Sequence, residues 1–223
     1  MPDGQYSFYL HSDDRTDIAA MATISTISQP LRGEFIRTAA TAGAVVYQVD
    51  ARLPALIPVF FAGQLSAVRL CAVMALVSGT WSSLTGLPDE PENGEAALPV
   101  SPETEYQRRR YTLTLQNGRS GERVESVLTE ASSRLRGDLL RNLIITGLAL
   151  HTTAPELPRL LASMPVQPTS VSELQALVQQ MAGTADVNRA AAAVPDTPAA
   201  SAAPVSGSDT REIKKNMRRA FGD

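Results

Sequence analysis

The side chains with most chemistry to offer in this chain are arginines, and they stand in patterns. Leu31-Arg32-Gly33 recurs as Leu135-Arg136-Gly137, each time at the head of an apolar-periodic run. A helix start presents free N–H groups and a positive dipole end to a phosphate, and glycine allows close backbone approach. Arg32, Gly33, Arg136 and Gly137 are therefore candidate contacts to a nucleic-acid backbone. Arg110 opens a segment, Arg110-Tyr-Thr-Leu-Thr-Leu-Gln116, whose alternate members Arg110, Thr112, Thr114 and Gln116 are polar. An earlier segment matches it, with Ser7, Tyr9 and His11 alternating with Tyr6, Phe8 and Leu10. Short hydroxyl and amide groups with one arginine suit base edges in a major groove. A third pattern closes the chain, where Ile213, Met217 and Phe221 fall four apart among Lys214, Lys215, Arg218 and Arg219.

Enzyme chemistry is not expected. Two histidines, one cysteine and no clustered carboxylates in the patterned segments supply no triad, metal site or acid–base pair. GxxxxGK[ST] and GxGxxG are both absent, so neither a nucleotide nor any other cofactor is expected. The net charge of −3 conceals an uneven distribution. Residues 80–107 hold six acidic and no basic side chains, whereas residues 108–183 hold nine basic against six acidic ones. A local basic patch, not the total, is the footprint of DNA binding.

What must position these residues is a duplication. Leu31 to Gly79 aligns without a gap on Leu135 to Gly183, through Arg37/Arg141, Gly43/Gly147, Leu53-Pro54/Leu157-Pro158, Ser66/Ser170 and Leu70/Leu174. Upstream, one residue of slip sets Tyr6-Ser-Phe-Tyr-Leu-His against Tyr111-Thr-Leu-Thr-Leu-Gln. Each unit opens with period-two alternation, the mark of a half-buried strand. Helical spacing then predicts helices near Thr16–Ile27 and Gly121–Ser133, and near Gly33–Val49 and Gly137–Thr153. Leu-Pro starts a third short helix in each unit, since proline is tolerated in a first turn. A fourth follows, near Ser66–Val77 and Val171–Met181.

The chain thus divides into a first unit (1–79), an acidic Pro-rich linker (80–107), a second unit (108–183), an Ala/Pro/Ser tether (184–208) and a terminal peptide (209–223). The tether is expected to be disordered, because its composition cannot bury a core. One strand with its helices cannot hide its own edge and apolar face, but two can. The expected fold is mainly α with a short two-stranded antiparallel ribbon: a tandem ribbon–helix–helix pseudo-dimer with extra C-terminal helices in each unit. Tyr9 and Thr114 are expected to face each other across that ribbon.

The order of strand, helix, Arg-Gly-x-[Phe/Leu]-x-Arg, Gly-containing second helix and Leu-Pro-x-Leu resembles the ParR (StbB-like) plasmid-partition adaptors, in both repeats. The terminal Arg211-Glu-Ile-Lys-Lys-Asn-Met-Arg-Arg-Ala-Phe221 looks like the basic tail that such adaptors use to bind an actin-like ParM ATPase. Such adaptors usually carry one unit per chain, where this chain has two. The resemblance implies a protein that coats repeated centromere-like sites on double-stranded DNA and couples them to a growing filament. Ile213, Lys214, Lys215, Met217, Arg218, Arg219 and Phe221 would make the filament contact. A ribbon–helix–helix repressor or antitoxin is the alternative, and a protein scaffold without a DNA face is a weaker third.

Other residues have plainer readings. Arg37 and Arg141 suit ion pairs as well as phosphates, His151 a packed core position, and Cys71 an inert buried thiol. Val59, Phe60, Phe61, Val73, Leu76 and Val77 make the first unit's later half more apolar than the second's, which suggests burial between units or between chains assembling on DNA. No stretch is long and unbroken enough for a membrane span, no signal peptide is expected at the N-terminus, and a single cysteine suits a reducing cytoplasm.

Overall fold

The computed structural model describes residues 4–80 and 108–192, with side chains as far as Gly183. The terminal peptide from Ile213 to Phe221 and most of the acidic linker lie outside the described residues.

Two strands, β1 (Gln5–His11) and β2 (Arg108–Thr114), pair antiparallel and come from different repeats. Phe8, Leu10 and Leu113 are buried on one face, so the period-two pattern turns the alternate residues of both strands outward, all of them polar, while Arg109 falls in the inward set opposite Leu10. Phe8 and Tyr111 face each other across the ribbon and stack with ring centroids 5.2 Å apart. The register corrects one expectation: Tyr9 stands opposite Arg110, and Thr114 opposite Gln5. Pairing depends on how the helices dock the two units together, which local alternation does not specify.

Eight α-helices and a short 3-10 turn (Gln29–Leu31), with their connecting loops, make up the rest of the described residues. In the first unit they are α1 (Arg15–Thr26), α2 (Arg32–Val49), α3 (Leu53–Phe60) and α4 (Ala67–Ser78). In the second they are α5 (Arg119–Glu130), α6 (Arg136–Thr153), α7 (Leu157–Ser163) and α8 (Val171–Ala192). The Asp14 carboxylate caps α1 by accepting the Asp17 N–H at 3.0 Å. Leu53-Pro54 and Leu157-Pro158 begin α3 and α7, as their sequence suggests. Gly79 ends α4 in the left-handed region at φ +70°. Gly183 does not end α8, which runs on to Ala192 through the first residues of the expected tether. Ala185, Ala190, Ala191 and Ala192 favour helix, and nothing forces a stop at Gly183.

The units interlock around one core. Helix α2 crosses α6, α3 packs across onto α6, and α7 packs across onto α2. Two glycines make the central crossing possible. A Cβ on Gly43 would lie 2.8 Å from Leu143 Cα and nearer still to its carbonyl. A Cβ on Gly147 would lie 2.5 Å from Ala39 Cα, with that residue's carbonyl oxygen closer. In the repeat alignment Gly43 matches Gly147 and Ala39 matches Leu143, so each half makes the same contact on the other. Thr16 Oγ1 likewise donates to Pro58 O at 3.1 Å, and its match Ser120 Oγ to Ala162 O at 3.4 Å. The duplication has folded as a pseudo-dimer in a ribbon–helix–helix-like arrangement.

Candidate nucleic-acid interface

The outward face of the ribbon carries Gln5, Ser7, Tyr9 and His11 from β1, and Arg108, Arg110, Thr112 and Thr114 from β2. Arg110 donates to Ser7 Oγ from Nε at 3.2 Å and from Nη2 at 2.9 Å. The Arg108 guanidinium sits 3.5 Å from the centroid of the Tyr9 ring, a cation–π contact that holds it over the ribbon. His11 ends the strand, and its backbone N–H donates to Asp17 Oδ2 at 2.9 Å. Six of the seven expected groove residues are thus brought onto one face. Gln116 is not: it lies two residues beyond β2, exposed at the rim of the cleft between α2 and α5.

Sequence reasoning missed Arg108 and Gln5 on this face. The strand begins at Arg108, three residues before the tyrosine where the apolar alternation becomes visible. Three consecutive arginines mask a period of two, although Arg108 and Arg110 point outward together.

The paired Leu-Arg-Gly motifs hold the starts of α2 and α6 beside this face. Arg32 Nε donates to Ile27 O at 2.8 Å and its Nη2 to Ser25 O at 3.3 Å; Arg136 Nε donates to Ala131 O at 3.2 Å. Ile27 and Ala131 occupy matching positions, so each arginine ties the end of one helix to the start of the next. Charge reaches the surface there, but part of each guanidinium is engaged within the protein. Leu31 and Leu135, at the caps, offer no side-chain hydrogen bond to the first N–H groups of α2 and α6. A Cβ on Gly137 would meet Ser7 O at an ordinary 3.5 Å, and one on Gly33 only the Arg37 side chain. The chain's own packing therefore does not demand glycine at these two positions.

Arg37 and Arg141 both form ion pairs, in different company. Arg141 Nε donates to the buried Asp17 Oδ1 at 2.7 Å and Nη2 to Asp14 Oδ2 at 3.2 Å, a bridge between units. Burial pushes the Asp17 carboxyl above its ordinary range, against the hydrogen bonds from Arg141 and the His11 N–H. Among the described residues Arg37 pairs with Glu34, at 2.6 Å on the same helix. The positions matching Asp14 and Asp17 are Gly118 and Gly121. Gly118 has φ +133°, and Gly121 leaves no room for a Cβ against Gln116 O.

His151 is half-buried rather than fully packed, edge-on to Phe35 with centroids 4.9 Å apart, and its Nδ1 lies 3.2 Å from Pro155 O. The Cys71 thiol is buried, and burial raises its pKa. The apolar surface of the first unit divides: Phe61, Val73 and Val77 are core, whereas Val59, Phe60 and Leu76 are exposed. Their matches in the second unit are Ser163, Met164 and Gln180. Among the described residues no group of His, Cys, Asp or Glu is arranged to hold a metal, and no helix is long and apolar enough to cross a membrane.

A ribbon of two repeats with a polar outer face, flanked by two uncapped helix starts, defines a duplicated ribbon–helix–helix-like protein. A family model described as plasmid stability protein matches residues 4–74 and again residues 109–178. The chain belongs to that family, with two copies of its unit in tandem. No curated protein and no solved structure matches it.

Proposed function

We propose that this plasmid stability protein is a DNA-binding segregation adaptor of the ParR type, in which one chain supplies both halves of the ribbon. The observation that supports it most is the outer ribbon face, where the strand register sets Ser7, Tyr9, His11, Arg108, Arg110, Thr112 and Thr114 side by side, opposite the face that buries Phe8, Leu10 and Leu113. A two-stranded ribbon fits the major groove, so these side chains reach base edges. The starts of α2 and α6, with Arg32, Gly33, Arg136 and Gly137, would then lie along the phosphates and fix the register without reading sequence. The chain acts without catalysis or cofactor, in the cytoplasm, and any ATP hydrolysis belongs to its partner.

The terminal peptide would couple the DNA to an actin-like ATPase filament. Ile213, Met217 and Phe221 would form one stripe for an apolar groove, and Lys214, Lys215, Arg218 and Arg219 would match an acidic rim. A dozen residues are too few for a stable helix in water, so this one would form on binding. The exposed Val59, Phe60 and Leu76 favour association of neighbouring chains on repeated sites.

Separation of the two activities tests the proposal. Truncation after Ser208 should abolish co-sedimentation with a purified actin-like ATPase and leave gel shifts on the protein's own plasmid DNA unchanged. Thr112→Ala with Thr114→Ala should leave co-sedimentation unchanged and weaken sequence preference in the gel shift more than nonspecific binding. Filament capture by the truncated chain removes the adaptor role, and unchanged sequence preference in the ribbon variant removes the ribbon from the reading surface.

A further inference from the structure

The two halves of the ribbon are chemically unlike. Aligning Tyr6 with Tyr111 and applying the antiparallel register puts the pseudo-twofold axis at the Ser7·Thr112 pair. That axis exchanges Gln5 with Arg110, Tyr9 with Thr114, and His11 with Gln116. In a homodimer each exchange would be an identity, and the two half-sites would read alike. Here one end presents Tyr9, Arg110, His11 and Arg108, and the other Gln5 and Thr114, with Gln116 beyond the strand.

The difference continues into the flanks. The cleft at the Tyr9 end holds Asp13, Asp14, Asp17 and Asp138 against Arg108 and Arg141. The cleft at the Gln116 end holds Arg37, Arg119 and Arg159 with Glu34 as its one carboxylate. Base-directed arginines thus lie toward one end and the surplus of flanking charge toward the other.

From this we infer that the chain binds a non-palindromic duplex site in one fixed orientation, with Arg108 and Arg110 over a guanine-containing half and Gln5 and Thr114 over an adenine-containing half. The inference rests on the proposed DNA reading by the ribbon and deepens it. Arginine addresses guanine through O6 and N7, and glutamine addresses adenine through N6 and N7. Arg110 already extends two donors along the ribbon surface to a neutral hydroxyl. One such bidentate pair is worth roughly 5- to 150-fold in discrimination, enough to orient the molecule. Reversing the chain would place both arginines over the wrong half.

Selection from duplexes with a randomised core, followed by cleavage mapping, decides the matter. An iron chelate would be attached to a cysteine at Gln29 or at the matching Ser133, both exposed, in a Cys71→Ala background. The wild-type motif should lack twofold symmetry, and the two chelates should cut on opposite sides of it. Gln5→Arg with Tyr9→Thr gives both halves an arginine and a threonine, and should select a motif more nearly palindromic at its centre. A palindromic wild-type motif, or cuts falling equally on both sides from each position, overturns the fixed orientation while leaving DNA reading intact. No enrichment from the pool, with only salt-sensitive nonspecific binding, removes the DNA reading itself and this inference with it.

Discussion

Gly43→Ala and Gly147→Ala probe the joint on which the whole molecule depends. The new Cβ on Gly43 would stand 2.6 Å from the Leu143 carbonyl carbon, where ordinary contact begins at 3.4 Å. The carbonyl oxygen lies nearer still, so helices α2 and α6 must separate by more than about 0.8 Å at their crossing, and neither carbonyl can swing away because each lies within a helix. Overpacking of this kind costs about 1–3 kcal/mol, with a backbone clash toward the upper end. Alanine recovers roughly 1 kcal/mol through its better helix propensity. The net loss is about 1–2 kcal/mol for each variant, or a fall in Tm of roughly 2–8 °C for a chain of this size. The double variant should lose less than the sum, since one displacement relieves both clashes. Thermal melts followed by circular dichroism at the helical band measure this, with Gly183→Ala as the control. Gly183 is helical and has open space around it, so alanine there should raise Tm slightly. If Gly43→Ala stabilises as Gly183→Ala does, the two helices do not cross here and the pseudo-dimer packing is wrong.

Two further outcomes follow from named contacts. Cysteines at Ser7 and Thr112, in a Cys71→Ala background, should form a disulfide within one chain at high dilution, because the register sets these residues opposite each other; a product confined to dimers would mean that each repeat pairs with its own kind. Asp17 has a folded pKa raised above the ordinary 3.8, so the folded state holds its proton more tightly and this group's stability contribution declines as pH rises from 3.8 through the raised value; Asp17→Asn should flatten that part of the stability–pH curve, and an unchanged slope would show that Asp17 titrates as it does in the unfolded chain.

Much of the fold was legible because its constraints are local or repeated. Gly43 and Gly147 stood out as matching positions in the repeat, and their meaning follows from the crossing. The alternation of Tyr6, Phe8 and Leu10 and the Leu-Pro starts had one structural reading each. The register was not legible, since docking of one unit on the other sets it. Nor was the role of Arg32 and Arg136: an arginine before a glycine points equally to a phosphate and to the carbonyls of the preceding helix, and much of each side chain takes the second. Arg108 lay hidden in a charged triplet. The exchange of Asp14 and Asp17 for Gly118 and Gly121 lies in the sequence, but only the Arg141 bridge gives it significance. The extension of α8 to Ala192 reflects alanine content that also reads as low complexity.

Photocrosslinking from single positions reads out whether the outer face of the ribbon meets DNA. An azide probe on a cysteine at Thr112, exposed at the middle of that face, is compared with one at Ser172, exposed on α8, both in the Cys71→Ala protein. With a duplex that the protein shifts in a gel, Thr112 should crosslink to bases within the major groove and Ser172 should give background only. Crosslinks from Ser172 with none from Thr112 would take the DNA off the ribbon and place it on α8.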